Sequence, residues 1–121
     1  MIYSKTLDSY TPDELISHGE PATHEVGITG GAAYTRGTVL GRITASELYT
    51  ISLAAATDGS EAPVAILADD EVDATDDDKR AAIYIEGDFC EHKLIFGTGH
   101  DVDSVRESLR THGIRIHKAV G

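Results

Sequence analysis

Residues 63–89 read PVAILADDEVDATDDDKRAAIYIEGDF, and how this stretch is read decides the fold. Two short apolar runs, VAILA at 64–68 and AAIYI at 81–85, flank an acidic segment. Runs this short, rich in Ile and bounded by turn-forming residues, suit buried strands better than helices. Pro63 opens the first strand. Gly87 interrupts the second, where a bulge fits.

Between the runs, Asp69, Asp70, Glu71, Asp73, Asp76, Asp77 and Asp78 place seven acids in ten positions. An EF-hand loop needs oxygen ligands at positions 1, 3 and 5, Gly at 6 and Glu at 12. Counting from Asp69 puts Ala74 sixth and Arg80 twelfth; counting from Asp73 puts Asp78 sixth and Tyr84 twelfth. Neither register works. A catalytic carboxylate pair needs one acid raised by burial or an apolar wall. Crowded acids beside Lys79 and Arg80 are simpler as a hydrated connection, held extended into water by mutual repulsion.

Working outward, HEVGI at 24–28 alternates and runs into the turn signal TGGAA. RGTVLGRIT reads as a short strand bracketed by Gly37 and Gly41. LYTISLA sets Leu48, Thr50 and Ser52 against Tyr49, Ile51 and Leu53, the period of a half-buried strand. On the other side, LIFG at 94–97 reads as a further strand. In GHDVDSVRESLRTHG, Val102, Val105 and Leu109 share one helical stripe. Asp101 suits the N-cap, Asp103 the positive first turn, Arg110 and His112 the negative last turn, and Gly113 the left-handed exit. IRIH at 114–117 alternates as a last strand. Residues 1–23 are polar, hold Pro12 and Pro21, and contain isolated apolar residues; TPDEL at 11–15 suits one helical turn at most. The expected architecture is a small, mainly β domain, clip-like or barrel-like. It has about six to eight short strands, one short C-terminal helix and an extended N-terminal arm. Residues 1–23 form the flexible arm and residues 24–121 a single domain.

With 121 residues there is room for one domain with a modest core. The net charge of −11 repels nucleic-acid phosphates and anionic membranes, so neither is an expected partner. Cys90 is the one cysteine, which excludes an internal disulfide. The opening MIYSKTLDSY has no signal-peptide apolar run, and no segment reaches the ~20 apolar residues of a membrane span. Synthesis in a cytoplasm is expected.

Other chemistry is thin. Cys90 with His92, and His112 with His117, come nearest to zinc spacing, but Gly113 divides the second pair. Cys90 with His92 or His100 is a conceivable nucleophile and base, though Cys90 follows Phe89 in a strand and suits a small buried hydrophobe. Ser104 and Ser108 lie on the helix without an elbow motif. GTGH at 97–100 precedes a helix as phosphate loops do, yet lacks the Walker spacing and its Lys, and Asp101 and Asp103 follow. The residues point to a binding or structural module with no catalytic residue, metal or cofactor.

The serial order of segments carries a resemblance. RGTVLGRIT, a hairpin strand, ATDGSEAPVAILADDEVDAT, AAIYIEGDF and LIFGTGHDVDSVRESLRTHGIRI together resemble the lambda-like phage head decoration protein family over roughly residues 24–117. The resemblance implies a β-clip-like homotrimer on the outer surface of the virion, made in the host cytoplasm. It would clamp the major capsid protein at local three-fold positions of the expanded shell. The N-terminal arm, mobile in the free protein, would add a strand to capsid protein. The expected capsid contacts are then Ile2, Tyr3, Leu7, Tyr10, Leu15 and Ile16 of the arm, with Val26 and Ile28 of the strand nearest the body. A β-clip domain that binds a small molecule or sugar, or serves as an accessory domain of a larger enzyme, is the alternative; an apolar pocket with convergent polar groups would favour it.

Overall fold

The computed structural model describes residues 16–117, with side chains from residue 22. The helical turn expected at residues 11–15 lies outside the described residues. Within them the strands are β1 (Ile16–Ile28), β2 (Ala32–Thr35), β3 (Val39–Arg42), β4 (Tyr49–Ile51), β5 (Pro63–Leu67), β6 (Glu71–Ala74), β7 (Lys79–Cys90) and β8 (Ile114–His117). A 3₁₀ turn spans Glu91–Lys93, and helix α1 spans Val102–Arg110. No helix among the described residues is long and apolar enough to cross a membrane.

The two apolar runs of residues 63–89 become neighbours. β5 pairs antiparallel with β7, Ile66 opposite Tyr84 and Leu67 opposite Ile83. Its other edge pairs with β3, and β3 pairs with β4. β4 meets β1 at one parallel pair, Tyr49 with Ile28. β1 then runs antiparallel along β7, from Ile16 opposite Phe89 to Ile28 opposite Lys79. The order β1-β4-β3-β5-β7 thus closes on itself, and β8 extends it in parallel beside Gly87–Cys90. The fold is mainly β, closed and barrel-like, with one short helix, as the sequence leads one to expect.

Closure gives the sheet two apolar faces. Ala65 and Leu67 of β5 join Ile28, Leu40, Val72, Ala74, Ala81 and Ile83 in one cluster. Ile66, between them, joins Val39, Tyr84, Phe89, Leu94, Val105, Leu109, Ile114 and Ile116 in the other. The second cluster contains the helix, so the first is the barrel interior. A strand covered on both sides reads as a continuous apolar run, which explains VAILA. Each fully buried Leu, Ile or Phe contributes roughly 1.5–3 kcal/mol of transfer free energy.

A bulge does interrupt β7, at Ile85, two residues before the Gly87 where it was expected. Gly87 has φ +148°, a conformation closed to most side chains. The β1–β7 register shifts nearby, with Ala22 opposite Glu86 and Thr23 opposite Tyr84, so Ile85 is the extra residue. The shift brings Tyr84 and Phe89, five positions apart, to the same side, their ring centroids 5.1 Å apart. Without it Phe89 would face away from the helix.

Helix α1 begins and ends as its sequence indicates. The Asp101 carboxylate accepts from the Ser104 N–H at 2.9 Å, and the Ser104 hydroxyl oxygen accepts from the Asp101 N–H at 2.9 Å. This reciprocal cap satisfies two orphan donors. Val105 and Leu109 are fully buried and Val102 packs beside them. The Ser108 hydroxyl donates to the Pro63 carbonyl at 2.8 Å, tying the helix to β5. Gly113 takes the left-handed exit at φ +88°.

Three local expectations are corrected. The acidic segment is not a loop held out by repulsion: Glu71–Ala74 forms β6, paired antiparallel with β2. Val72 and Ala74 point into the core while Glu71 and Asp73 point out. The acids organise the turns around it. Asp69 accepts from the Ala82 N–H at 3.2 Å, Asp73 from the Thr75 N–H at 3.1 Å and Asp78 from the Gly30 N–H at 2.7 Å. LIFG is no strand; it holds one isolated bridge, Ile95 to Thr38. The strand foreseen at His24–Ile28 begins already at Ile16.

Candidate interaction surface

The side chains singled out for chemistry are occupied by structure. His100 Nε2 lies 3.0 Å from the Glu61 carbonyl and 3.2 Å from the Ser52 hydroxyl, and Nδ1 lies 2.9 Å from the Ser104 hydroxyl. A carbonyl only accepts, so Nε2 donates to Glu61. Ser52 beneath it is fully buried, closed to a substrate. Ser104 and Ser108 serve the cap and the helix–strand tie. The GTGH turn leads to a helix N-terminus already filled by the carboxylate of Asp101, so no anion is cradled there.

The metal candidates separate. His117 Nε2 bonds Asp88 Oδ1 at 2.9 Å, whereas His112 lines a groove elsewhere. Cys90 is half-buried on β7, in register with His117. Among the described residues no three His, Cys, Asp or Glu side chains converge on a common point. Asp88 is instead the centre of an ionic cluster joining β7 to β8. Arg115 reaches it with Nε at 2.8 Å and Nη2 at 3.0 Å. These bonds from Arg115, then that from His117, hold the Asp88 carboxyl well below the usual carboxylate range.

The groove has a volume of about 510 Å³ and is lined by Arg42, Tyr49, Val64, Ile85 and His112. Its polar groups are Arg42, His112 and the Tyr49 hydroxyl, and Arg42 is held by Glu47 at 3.2 Å. That is a sparse set for orienting a small polar ligand.

What the fold does expose is backbone. β1 is paired along one edge with β7, and its other edge meets β4 only at Ile28. Among the described residues, the backbone of Ile16–Gly27 therefore has no strand on its second side. An unpaired edge is a template for another strand. Of the expected contact residues, Ile2, Tyr3, Leu7, Tyr10 and Leu15 lie outside the described residues, and Ile16 opens β1. Val26 is half-buried against the barrel interior. Ile28 is fully buried there, so its side chain belongs to the core rather than to a contact surface. Residues missed in the sequence are Leu53, Ile85 and Ile95, the large apolar side chains left exposed among the described residues. Alternation grouped Leu53 with Tyr49 and Ile51, but β4 stops at Ile51 and the chain turns Leu53 outward.

Compared with known families, residues 5–114 match the model of bacteriophage lambda head decoration protein D. A comparison with curated proteins finds no match.

Proposed function

The chain belongs to the bacteriophage lambda head decoration protein D family, and from that premise we propose how it holds a phage head together. It binds the outside of the expanded capsid as a homotrimer at local three-fold sites. It stabilises the shell around packaged DNA without catalytic step or cofactor. Its N-terminal arm adds to strands of the major capsid protein.

The observation that carries this reading is the open edge of β1, whose first residues, 16–23, fall within the expected arm. Fully extended, residues 1–15 span at most about 50 Å, enough to cross onto a neighbouring subunit. Ordering such an arm costs conformational entropy, so one arm alone binds weakly. Three arms on one trimer gain through effective concentration. A ligand that binds only the expanded lattice stabilises it by mass action, about 2.7 kcal/mol per site at a free concentration of about 100 Kd. The acidic outer surface is kept from the DNA by the shell.

The test is removal of residues 1–15, which leaves every described strand intact. The truncated protein should keep its circular dichroism and thermal midpoint yet fail to co-sediment with expanded heads. Undiminished co-sedimentation would refute the assigned role of the arm.

A further inference from the structure

Two β-bulges turn their side chains into one groove. On β7, Tyr84 lies opposite Thr23 and Glu86 opposite Ala22, so Ile85 is an extra residue. On β5 the same count recurs: Leu40 lies opposite Ala65 and Gly41 opposite Pro63, which leaves Val64 over. Both extra residues line the groove of about 510 Å³, together with Arg42, Tyr49 and His112. A bulge re-aims its extra side chain, and bulges gather at barrel rims and beside binding sites. Here two of them bring apolar side chains to a common space, where Ile85 is left 39% exposed. A third irregularity stands at the rim. Glu47 holds a left-handed φ of +64°, uncommon for a residue with a side chain, and grips Arg42 at 3.2 Å. Backbone strain of this kind clusters at ligand clamps.

The groove lies at the end of the barrel where β1 has its open edge. Thr23 of β1 stands beside the Ile85 bulge, and Ile28, where β1 meets β4, lies opposite Tyr49. Between them, residues 24–27 have no strand on their second side among the described residues. Backbone edge and apolar groove therefore border each other. A small molecule would find few polar groups there to orient it. An added strand needs none of them. Hydrogen bonds to β1 would fix its direction, and its alternate side chains would fall on one face, towards the groove. An edge next to a groove is thus suited to a polypeptide.

We infer that the groove seats a large apolar side chain of the major capsid protein, carried on a strand that adds to β1 and packed against Val64, Ile85 and Tyr49. The backbone edge alone would accept many strands. The groove selects the one with an apolar residue at the right position. The inference rests on the capsid binding put forward under Proposed function and gives that binding its side-chain specificity.

The test is co-sedimentation of the full chain with expanded heads, with far-UV circular dichroism as the check on folding. Ile85→Ser removes the apolar wall without adding charge; Ile85→Asp adds a carboxylate. Leu53→Ser and Leu53→Asp are the matched controls. Leu53 is also 39% exposed but does not line the groove; it and Ile95 stand on loops whose backbones are bonded to Val39. Ile85→Ser should weaken head binding about 10-fold and Ile85→Asp on the order of 30- to 100-fold. The Leu53 variants should stay within about twofold of wild type. In a second arm a benzophenone side chain replaces Ile85 and the mixture with heads is irradiated; this arm decides alone if a variant loses its fold. The expected product joins the chain to major capsid protein. A product joining two copies of the chain, or joining residue 85 to the chain's own residues 1–15, would give the groove to another occupant and overturn the inference. Equal losses in the Leu53 and Ile85 variants would do the same. Intact binding by the Ile85 variants overturns the inference alone, whereas a wild type that ignores heads overturns the proposed function and the inference with it.

Discussion

At the residue scale, two side-chain environments make sharp claims. Gly41 on β3 is pressed against the 58–63 loop: a Cβ there would lie 2.0 Å from the Ser60 carbonyl oxygen. The obstacle is backbone, so it cannot rotate away. Gly41→Ala is expected to lower unfolding stability by about 3 kcal/mol, read as a shift in urea midpoint at unchanged slope. The Gly was visible in the sequence as a strand bracket; the approaching carbonyl was not, because it comes from a loop distant in the chain. Asp88 is the second case. Its folded pKa is depressed, mainly by the bonds from Arg115. A depressed carboxyl stabilises the fold above its unfolded pKa of about 3.9 and loses that contribution as pH falls towards the folded value. Asp88→Asn should therefore cost about 1–2 kcal/mol at pH 7, after allowance for the exposure of Arg115. The gap to wild type should close as pH falls below about 4. A gap constant from pH 7 to pH 3 would contradict the ionic account.

At the element scale, local signals were legible where chain neighbours supply the whole mechanism. The helix is the clearest case: cap, stripe and exit could all be read, and Asp101, Val105, Leu109 and Gly113 take those roles. Asp101→Ala should cost about 1 kcal/mol and fray the first turn, measurable as a lower thermal midpoint with reduced helical ellipticity. An unchanged midpoint would mean that packing of Val105 and Leu109 alone fixes the helix. The β2–β6 ribbon escaped the reading because its β6 strand, EVDA, has only two inward positions, Val72 and Ala74, set among acids that suggest solvent. Pairing with AAYT supplies what composition hides. LIFG failed in the opposite direction. It has strand composition, but only Ile95 finds a partner strand. The strand at His24–Ile28 was seen, while its continuation to Ile16 depends on pairing with β7 across an irregularity in β1 at Gly19–Pro21.

At the scale of the whole molecule, the serial order of strands said more than any single motif. No local pattern reveals that β7 closes back onto β1, yet closure decides which edge stays open. Among the described residues it leaves the second side of β1, from Ile16 to Gly27, without a strand. The acidic surface, sparse groove and rigid apolar loops then divide the exterior into parts with different physical preferences. In the proposed reading the chain works by what it binds, and the central claim of that reading is state-selective attachment to a phage shell. The most direct measurement is co-sedimentation of the purified full-length protein with expanded heads and, in parallel, with unexpanded ones. The account predicts saturable binding to expanded heads only, together with increased resistance of those heads to heat-induced loss of DNA. Equal binding to both forms, or attachment to neither at concentrations far above that of the sites, would contradict it.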